Sequence, residues 1–304
     1  MDNLELIQSV KESIPETIAV IGYGSGMFKQ DGYDKKDKPD KDLILVVEDF
    51  KDFLMEDFKM NPHHFTDDFD KNILERKKEK ANYYKNLGCL KFYHDDVHFK
   101  VMIISDEALK YDLKTWKHFG MAGRLTKPIL YDDIPEDLER LILKNRENIL
   151  LTALLYKGSL YMKKEGLYNA ISKLTYINDF RTILPGERKS KSRDIVSGAI
   201  DEFDEMYLDS PLIRFKNGII VNDYPIDLIN ELPVNFSNYL YHKLGAEKIT
   251  QEKDMERVSK IIERYFKKIN LINSIELAIA SAATLGLKES AKHAAEKYQK
   301  HLKR

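Results

Sequence analysis

Cysteine is almost missing from this chain: Cys89 is the single one in 304 residues. No disulfide can form within the chain, and a zinc site built from several thiolates is excluded. With Leu87 and Leu90 beside it, Cys89 is expected to be a small packed residue rather than a nucleophile. Long apolar runs are lacking as well, and no window approaches the ~18 uninterrupted apolar residues of a membrane-spanning helix. Nor is there a surplus of charge of one sign. Lys and Arg number 49 against 50 Asp and Glu, so no global field points to nucleic acid or an acidic partner, and any electrostatic specialisation must be local. The opening MDNLELIQSVKESIPE has no basic start before an apolar run and is acidic, so neither a secretory signal nor a mitochondrial presequence is expected. There is no internal repeat and no low-complexity tract. These absences predict an intracellular protein, soluble or peripheral on a membrane.

What is present suffices for one large or two medium domains with true cores, since 43% of residues are hydrophobic and 33% charged. Leu4–Ile14 has helical spacing and is closed by Pro15. Ile18–Tyr23 reads as a β-branched strand running into Gly24-Ser25-Gly26, followed by the polar loop KQDGYDKKDKPDK. DLILVV is a strand buried on both faces, and Asp49–Lys59 is a helix broken by Asn61-Pro62. CLKFYHDD and VHFKVMIIS predict two strands turning at an Asp-Asp pair, Ala108–Phe119 a helix, and AGRLTKP a basic loop ending in proline. Residues 1–134 therefore predict a mixed α/β domain. From Pro135 the pattern turns helical, with helices expected over Glu136–Tyr156, Gly166–Leu174 and Asp194–Tyr207. IRFKNGIIVND is a hairpin with Asn217-Gly218 at its turn. Helices followed by a small hairpin suggest a winged-helix-like domain over 135–224, and 225–304 reads as helical, with Met255–Asn270 strongly amphipathic.

Nucleotidyl transfer needs a grip on a triphosphate, one or two magnesium ions bridging it, and an acceptor oxygen in line with the α-phosphorus. The polymerase-β-like solution is a strand, Gly-Ser on a tight turn, and carboxylates on the next strand. Glycine lets the backbone approach phosphate, the serine hydroxyl and nearby N–H groups hold phosphate oxygens, and carboxylates hold the hard Mg²⁺ ion. Here Gly24, Ser25 and Gly26 follow a strand, and Asp40 and Asp42 stand at the start of the next. Lys41 occupies the place an acid–apolar–acid pattern gives to an apolar residue, and a two-residue step from Asp42 falls on Ile44, which cannot ligate. Asp42 is thus the firmer metal ligand, and Asp40 is either a second ligand or solvated loop.

Several basic residues carry two readings. Lys100, inside an apolar strand, either snorkels to the sheet edge or points into a cleft. Arg124 and Lys127 sit in a short basic loop that is solvated surface unless a ligand claims it. Adjacent histidines point apart, so a zinc role for His63-His64 is not expected. Arg181, Arg188, Lys189, Lys191 and Arg193 fall within thirteen residues, either as a charged loop or as a cradle for phosphate or a phospholipid headgroup. Ser274–Leu287 is apolar and small, whereas the tail from Lys288 has six Lys/Arg against two Glu. That join fits a helix anchored on anionic lipid or a terminal helix with a wet outer face. The acidic Glu202, Asp204 and Glu205 in the helix before the hairpin argue against a DNA-reading winged helix, so no nucleic acid is expected as partner.

YGSGMFKQ, DLILVV, NPHHFT, YHDDVHFKVMII, WKHFGMAGRLTKP, TYINDFR and GERKSKSRDIV, in this order and at these distances, resemble the mitochondrial translocator assembly and maintenance protein family, the peripheral-membrane CDP-diacylglycerol synthases. Motifs cover most of 20–200 and recur at TLGLKES, while 210–270 matches poorly. The resemblance implies a nucleotidyltransferase domain joined to a winged-helix-like one, using CTP, phosphatidic acid and Mg²⁺ to make CDP-diacylglycerol and pyrophosphate. It puts the family's serine on Ser25, its strand-opening acid on Asp42 and its strand lysine on Lys100, the expected catalytic set. Beside Gly24, Ser25 and Gly26, the phosphate and nucleotide contacts it implies fall on Arg124, Lys127, Tyr176, Asp179, Arg181, Lys189 and Lys191. Gly123 and Glu187 hold motif positions, and the histidine of the family's N-x-x-H falls on His64. Asp40 has no clear counterpart. The absence of a presequence leads to the expectation of a bacterial relative at the inner face of the cell membrane, held to anionic lipid by its C-terminal helix.

Overall fold

The computed structural model describes residues 2–31, 40–65, 86–178, 190–221, 226–245, 252–286 and 291. Its first helix, α1 (Asn3–Ser13), starts at a reciprocal capping box between Asp2 and Glu5 and ends before Pro15. β1 (Ala19–Tyr23) pairs antiparallel with β2 (Lys41–Val47), Ile21 facing Ile44 and Tyr23 facing Asp42. The chain leaves β2 through α2 (Phe50–Met60), capped by Asp49. β3 (Leu87–His94) and β4 (Val97–Ser105) form a hairpin whose Asp95 and Asp96 both take positive φ, 48° and 60°. That is the mirror-image turn that suits strand twist, made from two aspartates in place of Asn-Gly. β4 runs parallel to β2 with Lys100 at the level of Asp42. β5 (Ile129–Tyr131), which the sequence pattern does not reveal, pairs with β1 and completes the order β3-β4-β2-β1-β5.

Alternation assigns the two faces. Val20, Leu43, Leu45, Val101 and Ile103 point toward α1 and α2. Ala19, Ile21, Ile44, Val46, Met102 and Ile104 face the other way, into a core that continues through Leu154 and Tyr168 to Phe266. On this second face the apolar ladder gives way, at one end, to Tyr23, Asp42 and Lys100.

The helical region begins with α3 (Asp106–Thr115), α4 (Gly120–Arg124) and α5 (Glu136–Lys157). Gly120–Arg124 is thus a short helix where the sequence predicts the start of a loop. β6 (Tyr161–Lys163) and α6 (Lys164–Leu174) follow. The helix expected over Asp194–Tyr207 is two, α7 (Lys191–Gly198) and α8 (Ile200–Tyr207), separated at Ala199 by a non-helical backbone, φ −132° and ψ 39°. β7 (Arg214–Lys216) and β8 (Ile219–Val221) form the expected hairpin, and β6 joins it in the order β6-β8-β7.

Two further helices follow among the described residues, α9 (Val234–Leu244) and α10 (Glu252–Leu285). The latter has 34 residues and runs unbroken through both the amphipathic stretch and the small apolar one. Its last turns cover the edge strand β3, where the Cys89 N–H donates to Thr284 Oγ1 at 2.8 Å. Cys89 is buried there against Met102 and Ser281, its thiol pushed up by burial, as a packing residue. The basic tail from Lys288, apart from Ala291, lies outside the described residues, and no described helix is long and apolar enough to cross a membrane.

Candidate active site

The glycine turn is fixed from three sides. Gly24 has φ +76°, and a Cβ there would lie 2.7 Å from Asp42 Oδ2, so a side chain would meet both backbone strain and a carboxylate. Its carbonyl accepts from the N–H groups of Met27 and Phe28 at 3.2 and 3.0 Å. A Cβ on Gly26 would lie 2.3 Å from the Asp40 carbonyl oxygen. Gly26 therefore packs against the start of β2, and it is Gly24 and Ser25 that line the cleft. Lys41 explains the interrupted acid pattern: its ammonium is shared between the Gly26 carbonyl and Asn3 Oδ1, pegging turn, strand and α1 together. Burial lowers its pKa.

Beyond the turn the chain docks on α7. Asp31 N–H donates to the Asp194 carbonyl at 3.0 Å, and Ser197 Oγ donates to Asp31 Oδ2 at 2.6 Å. Gly198 makes room, because a Cβ would stand 2.5 Å from the Lys29 carbonyl. The cleft consequently lies between the sheet and the helical region, with Asp42 and Lys100 on one wall and Arg124, Lys127, Tyr176 and Lys191 on the other.

Parallel pairing puts Asp42 and Lys100 side by side on the same sheet face, which resolves Lys100 in favour of the cleft. Asp40 pairs with Lys100 and, at 2.9 Å, with His98, and it does not line the cleft. Burial raises its pKa, but the hydrogen bonds and charge of Lys100 and His98 outweigh this and hold the carboxyl below its usual range. Desolvation of the partly buried Tyr23 pushes its phenol up, with Arg124 opposing and Asp42 reinforcing.

Arg124 is presented by a strained turn. Trp116 and Phe119 both adopt left-handed backbone, φ 50° and 56°, which is unusual for bulky residues. The buried Asp112 carboxylate accepts N–H groups from Phe119 at 2.7 Å and from Met121 and Ala122 at 3.0 Å each. Desolvation raises its pKa, and those three donors oppose the rise. The Arg124 guanidinium donates to the Gly120 carbonyl at 2.6 Å and lies 5.9 Å from the centre of the Tyr23 ring. Lys127 donates to Thr175 Oγ1 at 3.0 Å, and its ammonium is 4.7 Å from the Tyr176 ring centre. That of Lys191 is 5.3 Å from the same ring. Asp179, Arg181, Glu187, Arg188 and Lys189 lie outside the described residues. His64 is remote from the cleft. It is buried with Nδ1 3.0 Å from Asp57 and its ring stacked 4.0 Å from that of Phe92, a packing role.

Sequence reasoning missed Lys29, Gln30 and Asn273, which also line the cleft. Lys29 is hidden in a loop of mixed charge, and Asn273 in a long helix. The described lining holds one carboxylate, Asp42, against five cations, Lys29, Lys100, Arg124, Lys127 and Lys191. Among the described residues no group of three or more His, Cys, Asp or Glu forms a metal cage. Magnesium is commonly held by only one or two carboxylates, with substrate phosphates and water completing the shell, so Asp42 facing a basic cleft fits that ion. A local field of this kind, in a chain of net charge −1, suits a polyphosphate.

Comparison with known proteins gives a consistent result. The sequence model of the Tam41/Mmp37 family, described as "Phosphatidate cytidylyltransferase, mitochondrial", matches residues 5–300. The phosphatidate cytidylyltransferase of Caenorhabditis elegans is 29% identical over 78% of this chain and 73% of its own length. That of Saccharomyces cerevisiae is 30% identical over 67% of this chain and 53% of its own, and that of Drosophila melanogaster 30% over 67% and 63%. The chain thus spans between about half and three quarters of these relatives. A crystal structure of a nucleotidyltransferase-like protein from Exiguobacterium sibiricum covers 90% of this chain and 77% of that one at 12% identity, with a TM-score of 0.26, too low to carry an argument.

Proposed function

The chain belongs to the Tam41/Mmp37 family, and from that premise we propose that it transfers CMP from CTP to phosphatidic acid, giving CDP-diacylglycerol and pyrophosphate. The observation that carries the reading is the cleft itself, with one carboxylate under a glycine turn facing five cations.

Gly24 and Ser25 cradle the terminal phosphates through backbone N–H groups and the serine hydroxyl. Asp42 would hold magnesium, which would supply Lewis-acid stabilisation of the phosphate charge when bound. Asp40 keeps Lys100 aimed along the strand and is the residue available as a second ligand if that pair opens. Lys29, Lys100 and Arg124 neutralise the triphosphate. Lys127 and Lys191, gathered over Tyr176, serve the phosphate of the acceptor, with Asp179, Arg181 and Lys189 assigned to the same substrate-handling segment. A phosphatidate oxygen attacks the α-phosphorus, a P–O bond forms there, and the bond to the β-phosphate oxygen breaks. The acceptor is already largely ionised at neutral pH, so no strong general base is required.

The lipid acceptor calls for work at a membrane surface. The basic residues from Lys288 onward supply attraction to anionic lipid, which supports a peripheral place on an anionic membrane surface. Pyrophosphate release measured across a nucleotide panel, with and without phosphatidic acid vesicles, tests the reading. Release that requires both CTP and lipid is expected. Release from another nucleotide, indifferent to lipid, would favour a nucleotidyltransferase with a non-lipid acceptor.

A further inference from the structure

From the helical side Arg124, Lys127 and Lys191 bring cations that suit phosphate, and Thr175 and Tyr176 bring hydroxyls. Asn273 is different. It sits on α10, only 7% exposed, lines the cleft, and its side-chain Oδ1 is buried without a hydrogen-bond partner. An orphaned buried acceptor costs free energy, and such groups in a cleft mark a place where a ligand supplies the missing partner.

Its position is held from both sides along the helix. One turn before it, Asn270 Nδ2 donates to the carbonyls of Leu174 and Ile177 at 2.9 and 2.8 Å. One turn after it, Glu276 Oε2 lies 2.7 Å from His118 Nδ1, beside the turn that carries Gly120 and Arg124. α10 is therefore pinned to both segments of the helical wall, and Asn273 has little freedom to withdraw. A phosphate, whether of a triphosphate or a lipid, offers only acceptors when ionised and cannot satisfy an acceptor. The donors on a cytidine nucleotide are the exocyclic amine of the base and the ribose hydroxyls. Gly120, Gly123 and the ring of Phe119, which packs against Gly123, line the same cleft and add no further donor or acceptor side chain.

We propose that Asn273 reads the base, its carbonyl oxygen accepting a hydrogen bond from the cytosine exocyclic amine, so that this residue sets the preference for CTP over UTP. The proposal rests on the reading of the cleft as a CTP site. Uracil places a carbonyl acceptor where cytosine has the amine, so the same Asn oxygen would face it without a donor.

The test is equilibrium binding of CTP, UTP, dCTP and inorganic tripolyphosphate, with Mg²⁺, to the full chain and to its Asn273→Leu and Asn273→Ser variants. The two variants differ in volume, and tripolyphosphate binding together with a thermal melt reports whether the cleft is intact. The wild type should prefer CTP to UTP. Both variants should bind CTP about tenfold or more weakly, lose most of the CTP–UTP distinction, and keep tripolyphosphate affinity. Unchanged CTP affinity, or an equal loss for tripolyphosphate in both variants, would overturn the assignment. So would a loss that disappears when dCTP replaces CTP, since the donor would then be the ribose hydroxyl. A wild type that does not prefer CTP would instead sink the proposed function, which keeps the two failures apart.

Discussion

On the sheet wall of the cleft, Asp42 and Lys100 leave neighbouring parallel strands at one register position, under a glycine turn that a Cβ would wreck. On the helical wall, Lys127, Tyr176 and Lys191 arrive from three separate segments and meet through ring and hydroxyl contacts. The first wall is set by a backbone ladder and contributes the one carboxylate in the described lining. The second is set by side-chain packing and contributes cations and an amide. The difference suggests a division of labour. On the proposed reading, placement of the reacting phosphorus falls to the sheet wall, and recognition of base and acceptor to the helical one.

Breaking the sheet wall should do the most damage. Asp42→Asn is expected to lower kcat about a thousandfold with the fold intact by circular dichroism, because charge stabilisation at the reacting centre is lost. A loss of only a fewfold would move the metal to another ligand. Gly24→Ala should come next. The left-handed backbone costs about 1–2 kcal/mol of stability, and the new methyl displaces the Asp42 carboxylate, so kcat should fall about a hundredfold. Urea unfolding and steady-state kinetics on the same variant separate the two effects.

The helical wall should respond in KM rather than kcat. Lys127→Met and Lys191→Met each remove a charge over Tyr176, and each is expected to raise the KM for phosphatidic acid about tenfold. The double variant should cost less than the product, since both lysines share one ring. Fully multiplicative effects would mean that they bind different groups.

The smallest effect concerns Asp40. Its carboxyl is held below the usual range when folded, whereas the unfolded chain protonates near pH ~4. The pair with Lys100 and His98 therefore stabilises fully above that pH and is lost as pH falls through the lower folded value. Wild type should exceed Asp40→Asn in urea midpoint at neutral pH by a small margin, which closes on acidification. If Asp40→Asn instead abolishes turnover as Asp42→Asn does, Asp40 is a metal ligand and not only a partner for Lys100.

The two walls also differ in how far the sequence announces them. Ile18–Tyr23, the glycines and DLILVV are local signals, a β-branched run, a turn and an apolar strand, so the sheet wall and its Asp42 were legible residue by residue. Lys41 looked like an irregularity and is a peg, which needed the spatial neighbours Asn3 and Gly26. β5 and β6 have three residues each and exist because β1 and β8 offer them partners, which no short window reveals. The break at Ala199 follows Gly198, where a Cβ would stand 2.5 Å from the Lys29 carbonyl, a contact that no short window reveals. Lys29 and Asn273 escaped for the same reason, being ordinary residues in a polar loop and a long helix until the fold turns them into one cleft.

The central claim is that this cleft joins a cytidine phosphate to a lipid phosphate. CTP labelled at the α-phosphorus, mixed with the purified chain, Mg²⁺ and vesicles containing phosphatidic acid, should move its label into the organic phase as CDP-diacylglycerol, while label at the γ-phosphorus stays in water as pyrophosphate. Label that remains in the aqueous phase under conditions where the folded chain binds CTP would contradict the account.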